Sequence, residues 1–268
     1  MTTHETSDTA SAAEDRGRRK PKSPGRQAAS FGKELLIVIV GAIIVSSLLR
    51  AFVGQMFIIP SQSMENTLMI GDRVAVEKLS SVKRGQVVVF QDPGGWLNDE
   101  SEGSERGPVG RALEFVGVLP DTSANHLIKR VVGLPGDEVV CCDAKGRITV
   151  NEQPLDETSY LYTDSTGQQS APSDIKFDVV VPDGRIFVLG DNRGESRDSR
   201  CHLNDPGTLK GENAFVSEDL VVGRAIAVAW PLADAARLPI PTTYDSVPPG
   251  KTPAPSTPEI HAGADANC

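Results

Sequence analysis

The feature that most constrains this chain is an uninterrupted apolar stretch, LLIVIVGAIIVSSLL from Leu35 to Leu49, which carries no charge and resumes after Arg50 in Ala51-Phe52-Val53. From Leu35 to Val53 it is close to the roughly 20 residues that a helix needs to cross a bilayer. Arg50 falls near one end, where its long stem carries the guanidinium to the headgroups. The stretch predicts a single transmembrane helix over 34–54. Arg16, Arg18, Arg19, Lys20, Lys22, Arg26 and Lys33 precede it, with no acid from Arg16 to Lys33. Taken alone, such a basic run suits nucleic acid. Ahead of a membrane span it follows the positive-inside tendency instead, which keeps the N-terminus in the cytoplasm and sets the rest of the chain outside. A cleaved secretory signal has a similar outline, but Leu49-Arg50-Ala51 and Phe52-Val53-Gly54 both lack the small first residue of an A-x-A-like site. The lipid bilayer is therefore an expected partner and nucleic acid is not.

The remainder reads as mainly β. Residues 1–33 are Thr, Ser, Ala and charge with few large apolar side chains, so they predict a disordered cytoplasmic tail. From 55 to 235 short apolar runs recur at strand length: Arg73–Lys78, Gln86–Phe90, Leu127–Val132, Arg147–Val150, Arg185–Leu189 and Leu220–Trp230, each bounded by Gly, Pro, Asp or Asn. No window there holds a 3.6-residue period. The 25 glycines and 19 prolines, against 5% aromatic residues, agree with strands and turns rather than a helical bundle. Residues 92–125, opening DPGGWLNDESEGSERGPVG, predict a long loop in which Trp96 and Leu97 either dip into the outer leaflet or pack as a loop tip. The Pro-dense segment 236–268 predicts a flexible tail.

Chemistry enters just past the apolar stretch, at Pro60-Ser61-Gln62-Ser63-Met64. A serine hydroxyl is almost wholly protonated at neutral pH and needs a base to act as a nucleophile. His4 and His261 fall in the predicted tails, which leaves His126 and His202 as histidine candidates. A lysine serves equally when burial lowers its pKa toward neutrality. Lys129 interrupts the apolar strand Leu127–Val132, where alternation sets it on one face with Leu127 and Val131. The same residue could equally be a surface charge beside Arg130 on a solvated face.

The order of several separate blocks resembles the bacterial type I signal peptidases. They are Ile59–Met64 with Thr67-Leu68, Gly71-Asp72, Val76–Lys78, Arg84-Gly85 before Val87–Phe90, Lys129–Asp137, Gly190–Arg193, Ser196–Arg200 and Val222–Arg224. The resemblance implies an extracytoplasmic β-rich catalytic domain behind its membrane helix, cutting signal peptides from preproteins after small residues, usually Ala-x-Ala, without a cofactor. It makes Ser63 the nucleophile and Lys129 the general base. Ser61 would supply an oxyanion-hole hydroxyl beside the Ser63 amide, and Ser196 would orient the lysine amine. Phe57, Ile59, Met64, Leu68 and Ile128 match positions lining shallow pockets for small side chains. Asp191, Asn192 and Arg193 would be structural supports, as would the opposite charges of Asp198 and Arg200.

Asn66 stands where many relatives carry Pro and Gln86 where many carry Asp, and residues 92–125 have no clear counterpart. Cys141, Cys142, Cys201 and Cys268 lie on the expected oxidising side, where Cys201 is expected to pair with Cys141 or Cys142. The adjacent pair could close a bond of its own instead. Their spacing lacks the paired motifs of a structural zinc site, so no metal is expected. Three other readings remain: a noncatalytic tethered β domain that binds exported peptides, a cytosolic self-cleaving repressor of the serine-lysine type, and a hydrolase based on His126 or His202. The two dyad residues oppose the first and the apolar stretch opposes the second. Loss of activity on histidine replacement, with Lys129 dispensable, is what the third requires.

Overall fold

The computed structural model describes residues 24–52, 54–97, 107–110, 125–207 and 209–262. The chain divides into two compact units, Met1–Ile44 and Val45–Cys268. Helix α1 runs from Pro24 to Phe52. Pro at the first helical position gives up an N–H that has no partner there anyway, and its fixed φ suits the first turn. The helix thus opens ahead of the expected boundary at 34. Residues 1–23 of the expected disordered tail lie outside the described residues. Leu35 to Val40 and Ile43 to Val45 are all exposed. Among the described residues no helix is long and apolar enough to cross a membrane. The expected span over 34–54 runs past the described side chains, which in α1 extend from Gly32 to Ser46.

The second unit is built from two antiparallel sheets, as the short apolar runs predict. The larger joins β1 (Gly54–Ile58), β2 (Arg73–Glu77), β11 (Val221–Trp230), β3 (Val87–Gln91), β4 (His126–Gly133), β9 (Arg185–Leu189) and β10 (Val216–Ser217) in that order, with β12 (Ala236–Arg237) paired to β11. The smaller runs β13 (Glu259–Ala262), β8 (Phe177–Val180), β5 (Glu138–Cys141), β6 (Ile148–Val150), β7 (Gln153–Pro154). Strand β3 is the centre of the larger sheet because Val87-Val88-Val89-Phe90 is apolar on both faces. Val87 and Val89 enter a cluster with Phe57, Ile59 and Ile128, while Val88 and Phe90 enter another with Val131 and Val188. A third cluster, around Phe177, Phe187 and Phe215, joins the two sheets' neighbouring strands.

One open alternative is settled, and two expectations about the second unit are corrected. Of the two alternatives for Trp96, the packed one holds. It is buried, its indole N–H donates to the Asn213 carbonyl at 2.9 Å, and it stacks on His202 with ring centroids 4.4 Å apart. Asp92 holds this turn by accepting from the N–H groups of Gly94, Trp96 and Leu97. The segment 236–268, expected to be a flexible tail, is instead a strap through residue 262. Leu238, Ile240, Tyr244 and Val247 pack into the clusters, and β13 pairs with β8. Prolines forbid a helix or an inner strand but not anchoring by widely spaced apolar side chains, which a search for periodicity overlooks. Main-chain bonds complete the strap, from Leu238 N–H to Ile226 O, Lys251 N–H to Gly136 O and Asp183 N–H to Pro255 O. Cys141 and Cys142 are bonded to each other, so the expected bond from Cys201 to either is not formed; no described cysteine is free.

Candidate active site

The loop between β1 and β2 presents Ser63. Ile59 and Gly71 close its neck, the Ile59 N–H donating to Asp72 O and the Gly71 N–H to Ile59 O, both at 2.9 Å. Between them a short 3-10 turn, Gln62–Met64, is continued by N–H bonds from Thr67 and Leu68 to Met64 O. Asn66 follows at φ 82°, a left-handed conformation that asparagine tolerates and that proline's ring forbids. Met64 and Leu68 point inward as plugs, and the Asn192 N–H donates to the Ser63 carbonyl at 3.1 Å.

Lys129 reaches this turn from β4. Its Nζ lies 2.5 Å from Ser63 Oγ, and both residues are 3% exposed. Leu127 and Val131, its neighbours by alternation, belong to the apolar cluster of Val88 and Phe90. Among the described residues no carboxylate is within salt-bridge distance of the amine. Burial, only partly opposed by the charges of Asp198 and Asp191 and assisted by Arg200, lowers the Lys129 pKa to about 8. An amine so poised is unprotonated in a useful fraction of molecules near neutral pH.

Ser61 is exposed, with its Oγ 3.3 Å from Ser63 Oγ. Ser196 is buried beside the same turn, because Gly190 separates the two with no room to spare. A Cβ on Gly190 would meet Ser196 Oγ at 2.2 Å and Ser63 O at 2.5 Å. The expected bond from Ser196 to the lysine amine is not formed; its hydroxyl is buried without a hydrogen-bond partner among the described residues.

Phe57, Ile59, Met64, Leu68 and Ile128 come together in one cluster beside Ser63. Two strand edges flank it. Among the described residues β1 pairs only with β2, and His126 to Lys129 of β4 pair only with β3, since β9 joins β4 from Arg130 onward. The rings of Phe57 and His126 meet at 5.2 Å between these edges. His202 lies under Trp96, paired with Asp205. Neither histidine bonds Ser63.

Residues 32–230 match the family model described as "Signal peptidase, peptidase S26". The chain belongs to this family. Signal peptidase I of Mycobacterium tuberculosis (strain CDC 1551 / Oshkosh) is 35% identical over 225 residues, which cover 74% of this chain and 72% of that protein. Signal peptidase I of Pseudomonas aeruginosa is 30% identical over 238 residues, 78% of this chain and 74% of the relative. This S26 chain is accordingly a serine peptidase, a hydrolase.

The S26 cleft is backed by three buried arginine–carboxylate pairs. Arg130 grips Asp191 with two bonds, Nε to Oδ1 at 2.8 Å and Nη2 to Oδ2 at 2.6 Å, and donates a third to Gly85 O at 2.7 Å. Asp191 also accepts from the Thr67 hydroxyl at 2.5 Å. Arg200 grips Asp198 at 2.8 and 2.9 Å, and Asp198 accepts from the Gly190 N–H at 3.0 Å. Burial pushes the Asp198 pKa up, but Arg200 and these donors hold it below the usual carboxylate range. Arg193 pairs with Glu157 at 2.5 Å and donates to Gly190 O at 2.8 Å and to Pro172 O. Asn192 reaches Glu65 Oε2 at 3.3 Å. The residues that the resemblance implies as supports, 191–193, 198 and 200, all lie in this network, whereas Arg130, Thr67, Glu157, Tyr160 and Tyr244 were not singled out. Arg130, adjacent to the lysine in a buried apolar strand, carried a signal; Glu157 and Tyr244 carried none, since their partners are distant in sequence.

Among the described residues one group brings possible metal ligands together, Glu138, Asp178 and His261 on the smaller sheet. All three are partly exposed, and His261 is already engaged with Asp178 at 3.1 Å. The Ser63 cleft offers an amine and hydroxyls, a donor set for acid–base chemistry.

Proposed function

We propose that this peptidase removes N-terminal signal peptides from exported preproteins, cutting after small residues at Ala-x-Ala-type sites with Ser63 as nucleophile and Lys129 as general base. The observation that carries the reading is the 2.5 Å approach of the buried Lys129 amine to Ser63 Oγ. The neutral amine accepts the hydroxyl proton as Oγ attacks the scissile carbonyl. Charge developing on the carbonyl oxygen is stabilised by the Ser63 amide and the Ser61 hydroxyl. The ammonium then protonates the leaving amine, and the regenerated base activates the water that hydrolyses the acyl-enzyme. Asp191, Asn192, Arg193, Asp198 and Arg200 hold the frame. Ser196 fills the space behind Gly190.

An extended peptide fits as an added strand between the open edges of β1 and β4, main chain to main chain, with alternate side chains facing Phe57, Ile59, Met64, Leu68 and Ile128. Little space remains among these packed residues, which favours Ala over larger side chains. The exposed apolar side chains of α1 suit lipid, and the basic run before them suits a cytoplasmic N-terminus. A single-pass anchor would hold the catalytic unit outside the cytoplasm, beside substrates tethered by their own apolar helices, and so raise their effective concentration. No cofactor is required.

The test is incubation of the full chain in detergent with a preprotein bearing an Ala-x-Ala site. Product mass should locate the cut after the second Ala, and Ser63→Ala should abolish it. A cut elsewhere, or one dependent on His126 or His202 and not on Lys129, would exclude the reading. Protease protection in intact cells tests the topology, since the catalytic unit should be accessible from outside.

A further inference from the structure

We propose that Tyr160 is a positioning residue that governs how strongly Asp191 acts on the Lys129 amine, by holding the Arg130 guanidinium on its ring. The inference rests on the Ser63–Lys129 reading and adds a residue that touches neither. Tyr160 lies on the segment between β7 and β8 and is 3% exposed. Arg130 Cζ stands 4.2 Å from its ring centroid, a desolvated cation–π contact. The contact fixes the guanidinium where it makes its two-point grip on Asp191. At the ring's other end the hydroxyl donates to Glu157 Oε1 at 2.8 Å and lies 3.0 Å from the Tyr244 hydroxyl. Burial, then Tyr244 and Glu157, push its pKa well up, so it stays a neutral donor. Glu157 holds Arg193, which holds the Gly190 carbonyl at the back of the Ser63 turn.

Tyr244 comes from the C-terminal strap and packs under Gly85, where φ is +79° and a Cβ would meet the Tyr244 ring at 2.5 Å. Gly85 in turn accepts from Arg130. The strap thus closes the same node from below. The charged groups that act on Lys129 are Asp198, Asp191 and Arg200. Of the two carboxylates, Asp198 keeps its own arginine, so the setting of Asp191 depends on Arg130. A guanidinium with no ring to lie on grips Asp191 less well. More of the Asp191 charge then reaches the amine and favours its ammonium form.

The experiment is kcat/KM of the full chain on an Ala-x-Ala peptide from neutral to alkaline pH. Tyr160→Leu should move the rising limb to higher pH, with a loss of about threefold or more at neutral pH that is recovered at alkaline pH, about half a unit of displacement. Tyr160→Phe keeps the ring and should leave the limb where it was. If Tyr160→Leu does not fold, Arg130→Lys replaces it, since a lysine keeps the charge without the planar grip, and the same displacement is expected. A purely structural role would lower activity at every pH with the limb unmoved, and that outcome overturns the inference. A limb that persists in Lys129→Ala would instead sink the dyad reading itself.

Discussion

Lys129 and Arg130 are neighbours on one strand, equally buried, and treated in opposite ways. Arg130 faces a carboxylate that grips it at two points, as do Arg193 and Arg200, so the charges behind the cleft are fixed and compensated. Lys129 faces a hydroxyl and apolar side chains, with its nearest carboxylates already taken by arginines. A buried cation with a partner stays charged. One without a partner gives up its proton more readily, as a general base must. The support region thus does more than brace the cleft: by engaging Asp191 and Asp198 it keeps them from pairing with the lysine.

Removing either member of the proposed Ser63–Lys129 dyad should have the largest effect. Ser63→Ala and Lys129→Ala are each expected to lower cleavage on the order of 10⁴-fold or more, and the double variant should be little worse, because residues that act as one unit are grossly non-additive. Turnover close to the unmodified rate in either single variant would break the comparison at its centre.

On the support side the effect should fall on stability. Arg200→Ala strands the Asp198 carboxylate in a buried site, at a cost of about 3–5 kcal/mol. Arg200→Lys, which keeps the charge but loses the two-point grip, should lie between. Urea titration reads this directly, and a loss below about 1 kcal/mol for Arg200→Ala would mean that water already compensates Asp198.

That division was only partly legible in the sequence. The β class was, because Val87–Phe90 and Leu127–Val132 are apolar runs of strand length. The approach of Ser63 to Lys129 was named from ordered motif blocks, while period-2 alternation gave the lysine its face without saying whether that face was buried. The strap at 236–262 was hidden because it packs through isolated anchors such as Tyr244 and Val247, which have no period to detect. The Arg130–Tyr160–Glu157 node was hidden for another reason: its members meet only when β4 and the segment between β7 and β8 come together.

Within the cleft, Ser61→Ala should cost less than loss of the dyad. Removing one donor to a developing oxyanion lowers kcat about 10²–10³-fold, with KM little changed. The present 3.3 Å separation of the two serine hydroxyls fits a donor that turns to the substrate when the carbonyl arrives. An equal change in KM and none in kcat would reassign Ser61 to ground-state binding.

The smallest effect, and the sharpest for the comparison, is the stability change in Lys129→Met. With the folded lysine at about 8 against 10.5 unfolded, the unfolded chain binds more protons between these values, so the unmodified protein gains stability as pH rises through that window. Below about 8 both states are charged and the full desolvation penalty is present; above 10.5 both are neutral and it is gone. Methionine has similar length and no charge. Near neutral pH it should therefore relieve a penalty on the order of 3 kcal/mol, less about 1 kcal/mol for the lost contact with Ser63. The melting temperature should rise by a few degrees at pH 7 and the gain should vanish at strongly alkaline pH, while activity is lost throughout. In the unmodified protein kcat/KM should climb about tenfold per unit of pH below 8 and level off above it. A methionine variant less stable than the parent at neutral pH, together with activity that begins to rise only near the ordinary lysine value, would mean that Lys129 is held as a paired cation after all, like its neighbour Arg130.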